Sequence, residues 1–293
     1  MTKQFLFLTI SFLCLISGCE QKGDKNDQVV TIKTKYGDMI AILYDETPKH
    51  KENFIKLTKE KYFDSLLFHR VIQGFMIQGG DPDSKKAQPG QPLGMGGPGY
   101  TVDAEFNPKF FHEKGSFSAA RLGDAQNPTK ASSGSQFYIV HGTVINTADV
   151  DNLKINNEKL NLGFQMMAGN PVNKPLMDSL QALYMTGDMA AYQKKIISLV
   201  PLIEKQTSVK VTKEISPEKI EAYTTTGGSP HLDGDYTVFG KVIKGLDVID
   251  KIAVIGVDGN HRPMEDVRMT VTVEEMPRKK ITKEYGYSYP EIK

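Results

Sequence analysis

Short apolar segments separated by turn residues make up most of the chain, and this pattern constrains the fold more than any other feature. In the first segment Val30, Ile32 and Thr34 alternate with other residues, and a second alternating segment follows Gly37. Such alternation is typical of half-buried strands, so residues 29–44 predict a β-hairpin. Further strands are predicted within segments 66–78 (two strands around Gly74), 115–120, 135–141, 236–243 and 267–273.

Helices are scarce outside the middle of the chain. Thr47-Pro48 predicts a helix start, with Thr at the N-cap and Pro at the first helical position. A second helix is predicted over Leu246–Ala253. Many short strands with two helices favour a mainly β chain that closes into an antiparallel barrel, rather than an alternating α/β fold.

The segment 146–226 interrupts the β pattern. Leucines within 176–183 recur at helical spacing, and Gly187 predicts the end of that helix. Asp188 predicts the cap of a second helix, which Pro201 ends or kinks. We therefore interpret 146–226 as a helical insertion, whose apolar stripes fit either packing on the barrel or a surface that binds a partner or client protein.

The N-terminus carries a targeting signal. Its apolar run is shorter than the about 20 residues that span a bilayer, and it predicts a signal peptide. The Ile16-Ser17-Gly18-Cys19 sequence that follows resembles a bacterial lipobox, in which the Cys19 thiol receives a lipid. We expect residues 1–18 to be a lipoprotein signal peptide and 19–28 a flexible tether. The alternative is an ordinary signal peptide with an incidental cysteine.

These signals predict a location in the bacterial cell envelope. A lipid at Cys19 would anchor the protein to a membrane, and we expect the outer membrane, with the folded part facing the periplasm. The C-terminal tail, residues 276–293, is basic and rich in tyrosine, and its sequence assigns it no role.

Composition excludes several other classes of function. The 36 basic and 35 acidic residues nearly cancel, so nucleic acid is not an expected partner. Both cysteines lie in the first twenty residues, which excludes a disulfide framework or thiolate zinc site in the folded part. The histidines are scattered, and GMGGPG in the loop 88–100 lacks the strand and helix of a nucleotide fingerprint. We therefore expect neither a metal nor a cofactor.

The strongest functional signal comes from three segments: FHRVIQGFMIQGGD (residues 68–81), SGSQFYI (133–139) and HLDGDYTVFGKV (231–242). GPGYTVDAEF and GSFSAAR lie between the first two in the chain. Over roughly residues 29–275, apart from the insertion, the sequence resembles the cyclophilin family of peptidyl-prolyl cis/trans isomerases. The resemblance implies a closed eight-stranded antiparallel β-barrel capped by two helices, with the substrate groove on its outside.

The reaction that this resemblance implies breaks no covalent bond. Amide resonance opposes rotation about an X-Pro bond, with a barrier of about 18–20 kcal/mol. In the twisted state the proline nitrogen regains a lone pair, so a donor aimed at it and a dry apolar cup for the ring would stabilise that state. Arg70 matches the family's donor, because a guanidinium is always charged and offers several N–H groups.

The resemblance assigns roles to residues of the five segments. The expected catalytic residues are Arg70, Phe75 and Gln136. The expected substrate-binding residues are Met76, Gln78, Ala120, Arg121, Tyr138, His231, Leu232 and Tyr236. Three of these depart from eukaryotic cyclophilins, which carry Trp in place of His231, His in place of Tyr236 and Asn in place of Arg121.

The expected function is therefore faster rotation about X-Pro bonds in envelope proteins, with proline-containing polypeptides as substrates. The alternative is a non-catalytic module that binds or chaperones proline-containing segments. The three departures from eukaryotic cyclophilins and the long insertion would be compatible with such a module. Taken singly, Arg70 also fits a surface ion pair, and Phe75 and Leu232 also fit the core of a barrel. The client proteins and the oligomeric state stay open at this point.

Overall fold

The strands fall close to the predicted segments. The computed structural model describes residues 25–289, so the predicted signal peptide and Cys19 lie outside the described residues. The strands are β1 (Asn26–Thr34), β2 (Gly37–Leu43), β3 (Phe68–Ile72), β4 (Met76–Gly79), β5 (Thr101–Val102), β6 (Ser116–Ala119), β7 (Ser132–Ser133), β8 (Phe137–Val140), β9 (Val238–Lys244) and β10 (Thr270–Pro277).

An eight-stranded antiparallel sheet is the main element of the fold. Its strand order is β10-β1-β2-β9-β6-β8-β4-β3, and β5 pairs with β7 in a separate small ladder. The β1-β2 hairpin pairs Val29 with Ile42, which confirms the predicted hairpin. The fold is therefore mainly β, as the sequence predicts.

The sheet curls into a half-barrel but does not close, so the predicted closed barrel is wrong in this respect. β3 and β10 are the two edges of the sheet. The residues that precede β3 and those that precede β10 contact one another across the gap between the two edges. Leu67 forms an isolated bridge with Arg268, and the Ser65 N–H donates to the Met269 carbonyl at 2.9 Å. Ser65 lies in the left-handed region, with φ at 68°, and this ends the extended pairing. The seam is thus held by a few bonds outside the strand ladder.

The main core fills the interior of the half-barrel. Its centre is a cluster of phenylalanine rings in which Phe54 stacks on Phe63 at a centroid distance of 4.7 Å and meets Phe117 edge-on at 5.1 Å. Two helices complete this core, α1 (Pro48–Lys59) and a later helix over Leu246–Ala253. Both begin where the sequence predicts, although the Thr47 hydroxyl donates to the Tyr44 carbonyl instead of capping α1.

The insertion contains a bundle of short helices with an apolar core of its own. The predicted helix ahead of Gly187 is present, and a new helix begins at Val200 with Pro201 in its first turn. Two helices earlier in the insertion, Val150–Leu153 and Asn157–Ala168, were not predicted. The helices of this part of the chain are α2 (Val150–Leu153), α3 (Asn157–Ala168), α4 (Lys174–Met185), α5 (Met189–Ser198), α6 (Val200–Thr207) and α7 (Pro217–Thr225).

Two further helices follow the insertion. They are α8 (Leu246–Ala253) and α9 (Arg278–Tyr285), and α9 was not predicted. α9 buries Ile281 in a cluster with Val29 and Ile42, two residues that β1 and β2 turn away from the main core. Within residues 25–289 no helix has the length and apolar character needed to cross a membrane.

Gly80 provides a test of how tightly β4 is held against the strand β8. Its φ is +94°, and a Cβ at this position would lie 2.1 Å from the Ser135 carbonyl oxygen. We expect Gly80→Ala to lower the free energy of unfolding by more than about 2 kcal/mol, because left-handed strain adds to a backbone clash. Urea denaturation measures this change. Gly259→Ala is the control, since a Cβ there meets nothing within 4 Å. Equal midpoints for the two variants would contradict the account.

Candidate active site

A groove of about 660 Å³ lies over strands β3, β4 and β8. It exists because neighbouring residues of a strand point to opposite faces of the sheet. On β4 and β8, Ile77 and Ile139 point into the main core. Met76 and Tyr138, one residue earlier on each strand, belong to a separate apolar cluster that lines the groove. The same two strands therefore supply both the core and the groove.

An apolar cup forms one part of this groove. Met76 and Tyr138 are almost fully buried there, and Leu232 is 8% exposed. Phe75 and Tyr236 pack against them as partly buried residues. Leu232 comes from the short turn Pro230–Leu232, far from the strands in sequence. The cup is a site for an apolar ring that has no donor to satisfy.

Arg70 supplies the charged group of the groove. It extends from β3, and its Nη1 donates to Gln78 Oε1 at 3.1 Å. Burial lowers the pKa of its guanidinium, yet an arginine stays protonated at neutral pH. Among residues 25–289 no carboxylate lies within ion-pair distance of it. Its remaining N–H groups are available to a ligand.

A chain of amide side chains holds this arginine in position. Gln78 Nε2 donates to Gln136 Oε1 at 3.1 Å, and Gln136 Nε2 donates to the carbonyls of Gly94 and Gly96 at 2.9 and 2.8 Å. Gln136 is buried, and the groove is lined by Gln78 instead. The structure thus brings Gln136 next to the site and places it one side chain away from the cavity.

Arg121 and Tyr236 form a second wall. The Arg121 guanidinium lies 4.4 Å from the centre of the Tyr236 ring. Its Nε donates to the Asp235 carbonyl at 2.8 Å, and its Nη1 to the Leu122 carbonyl at 3.0 Å. Arg121 is therefore occupied by carbonyls of its own loop and of the loop at Asp235, while its neighbour Ala120 lines the groove directly.

His231 is the predicted site residue that the structure leaves at the edge. It does not line the cavity, and its ring centre lies 5.4 Å from that of Phe75. Apart from Gln136 and His231, every residue predicted for catalysis or substrate binding lines this one groove.

The loop that forms the opposite wall of the groove was not among the predicted site residues. Residues 90–95 line the groove, and Arg262 holds this loop by donating to the carbonyls of Gln88 and Gln91 at 2.9 and 2.7 Å. Arg262 lies more than 170 residues away in sequence from its acceptors, and no local motif marks such a pair.

A buried polar chain behind the cup was also missed. His112 Nε2 lies 3.0 Å from the Tyr138 hydroxyl, and His112 Nδ1 donates to Asp233 Oδ1 at 3.0 Å. The Tyr223 hydroxyl donates to Asp233 Oδ2 at 2.8 Å. Burial would raise the pKa of Asp233, but the hydrogen bonds from His112 outweigh it and lower that pKa. This series of hydrogen bonds links helix α7 of the insertion to the floor of the cup.

Within residues 25–289 no group of three or more His, Cys, Asp or Glu side chains is arranged to hold a metal ion.

His69, next to Arg70, makes the site sensitive to acid. Burial lowers the pKa of its imidazole to about 4, against an ordinary value of about 6.5, and Asp81 opposes this only in part. Neither ring nitrogen has a hydrogen-bond partner in the described part of the chain. Between those two pH values the unfolded chain binds more protons than the folded one, so stability falls as the pH falls.

We expect the wild type to lose up to about 3 kcal/mol of unfolding free energy between pH 6.5 and 4 through His69, and His69→Phe to lose that much less. Urea denaturation at several pH values measures the difference between the two proteins. The NMR signals of the His69 ring should not titrate between pH 7 and 5, and a midpoint near 6.5 would contradict the prediction.

Comparison with known proteins gives a family match. Residues 29–161 and 209–274 match the family model described as cyclophilin type peptidyl-prolyl cis-trans isomerase/CLD. The unmatched residues between these two stretches contain α4, α5 and α6 of the insertion.

Curated relatives carry related names. A "putative bifunctional phosphatase/peptidyl-prolyl cis-trans isomerase" of Streptococcus pyogenes serotype M6 is 31% identical over 81% of this chain, which spans only 37% of that protein. A "putative peptidyl-prolyl cis-trans isomerase" of Staphylococcus haemolyticus is 30% identical over 83% of this chain and 88% of its own length. A solved cyclophilin-type isomerase of Cryptosporidium parvum is 20% identical, with a TM-score of 0.49 over 85% of this chain and 98% of that one. The family model and the bacterial relatives establish that this chain belongs to the cyclophilin-type peptidyl-prolyl cis-trans isomerases.

Proposed function

We propose that this protein accelerates rotation about X-Pro bonds in polypeptides of the bacterial cell envelope, and that Arg70 stabilises the twisted amide. The observation that carries the proposal is that one groove is lined both by the Arg70 guanidinium, which has no carboxylate partner among the described residues, and by an apolar cup. An arginine that served only in an ion pair would have a carboxylate beside it.

The cup selects proline by its apolar character. A proline ring has no N–H, so it enters an apolar site without leaving an unpaired donor. Met76, Phe75 and Leu232 would contact the ring and exclude water from the bond that rotates. Water exclusion matters because it strengthens the interaction between a charged donor and the proline nitrogen.

Arg70 acts on the nitrogen of the twisted bond. In the planar amide the nitrogen lone pair is delocalised and accepts poorly, whereas in the twisted state it is localised and accepts a hydrogen bond. A donor fixed beforehand therefore binds the twisted state more tightly than either planar isomer. One of its N–H groups is held by Gln78, which fixes the orientation of the guanidinium plane.

Gln136 serves as a positioning residue in this proposal. It orients Gln78, which in turn orients Arg70, and it ties both to the loop at Gly94 and Gly96. Arg121 has a similar role towards Tyr236, while Ala120 leaves room for the residue that precedes the proline.

The envelope location rests on the lipobox sequence that ends at Cys19. We propose that Cys19 becomes the lipidated N-terminus of the mature protein and that a tether separates the lipid from the half-barrel. This tether ends before β1, which begins at Asn26 and not after residue 28 as predicted from sequence. Clients would then be proline-containing proteins that fold at the membrane surface. With more than one acyl chain such an anchor is stable.

Loss of the guanidinium should remove most of the activity. We expect Arg70→Ala to lower kcat/KM on a short X-Pro peptide by roughly 10- to 100-fold, the equivalent of one hydrogen bond from a charged donor. Arg70→Lys should recover only part of it, because an ammonium lacks the planar fork that Gln78 holds. A protease-coupled assay or NMR exchange spectroscopy measures these rates.

The control for this test is Arg268→Ala, since Arg268 lies outside the groove and binds the backbone carbonyls of Ser65 and Lys85. Wild-type protein that binds the peptide without speeding its exchange would favour the non-catalytic binding module. Full activity of Arg70→Ala would exclude the proposed role of the guanidinium.

Lipidation has its own test. Bacteria that express the full chain and are fed a labelled palmitate should incorporate the label into this protein, and Cys19→Ser should abolish incorporation and release the protein from the membrane fraction. Cys14→Ser is the matched control and should leave both unchanged. Label retained in Cys19→Ser would refute the anchor.

A further inference from the structure

A second cavity, of about 500 Å³, lies beside the groove, and neither the family match nor the predicted site accounts for it. Its walls come from three segments: residues 106–110, residues 233–238, and residues 213–219 of the insertion. Tyr236 lines both this cavity and the groove. The two spaces are therefore separated by the width of a single side chain.

Three of the polar side chains in its lining are already bonded within the protein. Asn107 Oδ1 accepts from the Lys109 N–H at 3.0 Å, and Ser216 Oγ accepts from the Lys219 N–H at 3.4 Å. Asp233 accepts from Tyr223 and His112, as described above. The apolar part of the lining consists of Phe106, Pro108, Phe110, Ile215, Val238 and the ring of Tyr236.

The charges at this cavity balance. Lys219 Nζ lies 3.7 Å from Asp233 and 5.2 Å from the centre of the Phe111 ring, so it is occupied. The adjacent Lys213 and Glu214 are both exposed and of opposite sign. A neutral ligand group therefore fits this cavity better than an ion does.

The wall that the insertion supplies is fixed in place. Tyr223 is 1% exposed, and its hydroxyl ties α7 to Asp233 on the other side of the cavity. The backbone of Gly228 exchanges hydrogen bonds with Thr143 at 3.0 and 3.2 Å, which anchors the end of the insertion to the chain that follows β8. A cavity between two parts so joined exists before any ligand arrives, which lowers the ordering cost of binding.

We propose that this cavity is a second substrate subsite, which takes an apolar or aromatic side chain from the same polypeptide as the isomerised proline. The inference rests on the proposed function, because a substrate must already lie in the groove. A polypeptide is the expected occupant because the cavity adjoins the groove at Tyr236, and one more extended residue adds about 3.3–3.6 Å of reach. The insertion would thereby select clients that carry an apolar residue a few positions from proline.

The exposed ring of Phe106 gives a clean variant for this test. Phe106 is 41% exposed and belongs to none of the buried clusters, so its removal should leave the fold intact. Phe106→Ala opens the apolar wall, and Phe106→Leu retains most of it. Tyr184→Ala is the matched control, because Tyr184 is a similarly exposed aromatic residue of the insertion that does not line the cavity.

The experiment compares a short peptide that holds only the X-Pro core with longer peptides in which one Phe replaces Ala at successive positions on either side of the proline. We expect Phe at one of these positions to raise wild-type kcat/KM by about tenfold, mainly through KM, because an apolar side chain is buried. Phe106→Ala should abolish this preference, and Phe106→Leu and Tyr184→Ala should keep it. The short peptide should be isomerised equally well by all four proteins.

The outcomes separate this inference from the proposed function. No preference for Phe at any position, or a preference that persists in Phe106→Ala, would overturn the subsite. If wild-type protein fails to isomerise even the short peptide, the proposed function fails instead. Calorimetry with the same long peptides then tests the subsite independently of catalysis. The subsite predicts that the Phe peptide binds more tightly than the Ala peptide to the wild type, and that this difference is lost in Phe106→Ala.

Discussion

The structure depends on two strands that are apolar on both faces. β4 and β8 direct Ile77 and Ile139 into the main core and Met76 and Tyr138 into the groove. Because the interior of the half-barrel is filled with side chains, no ligand site can form there, and the outer face must carry it. If charged residues occupied the groove-facing positions of β4 and β8, the two strands would still form the core, but the apolar cup would be absent.

Arg70 can remain partly buried without a carboxylate partner because a neutral amide, that of Gln78, accepts one of its hydrogen bonds. A carboxylate at this position would satisfy the guanidinium and remove its availability to a substrate. The amide of Gln78 instead takes one N–H, and Gln136 extends the contact to the loop at Gly94. Neutral acceptors thus orient the cation without neutralising it, which is the condition for its field to act on a bound amide.

The insertion is physically coupled to the cup. From α7, the Tyr223 hydroxyl reaches Asp233, then His112, and finally the Tyr138 hydroxyl at the floor of the site. Each member of this chain is buried or nearly so, and an unpaired polar group there would be costly. The helical segment therefore belongs to the architecture of the groove and provides one wall of the adjoining cavity.

The sequence alone determined the eight strands of the main sheet, the start of α1, the bounds of α8, the helical character of the insertion and nine of the residues that line the groove. These follow from local periodicity, capping residues and contiguous motifs. Only the tertiary structure decided that the sheet stays open at the seam by Ser65, that Gln136 lies behind Gln78, and that His231 lies at the rim. It alone revealed the contacts of Arg262 with Gln88 and of Tyr223 with Asp233. Such contacts join residues that are distant in sequence and meet only after folding. A local sequence pattern therefore does not predict them.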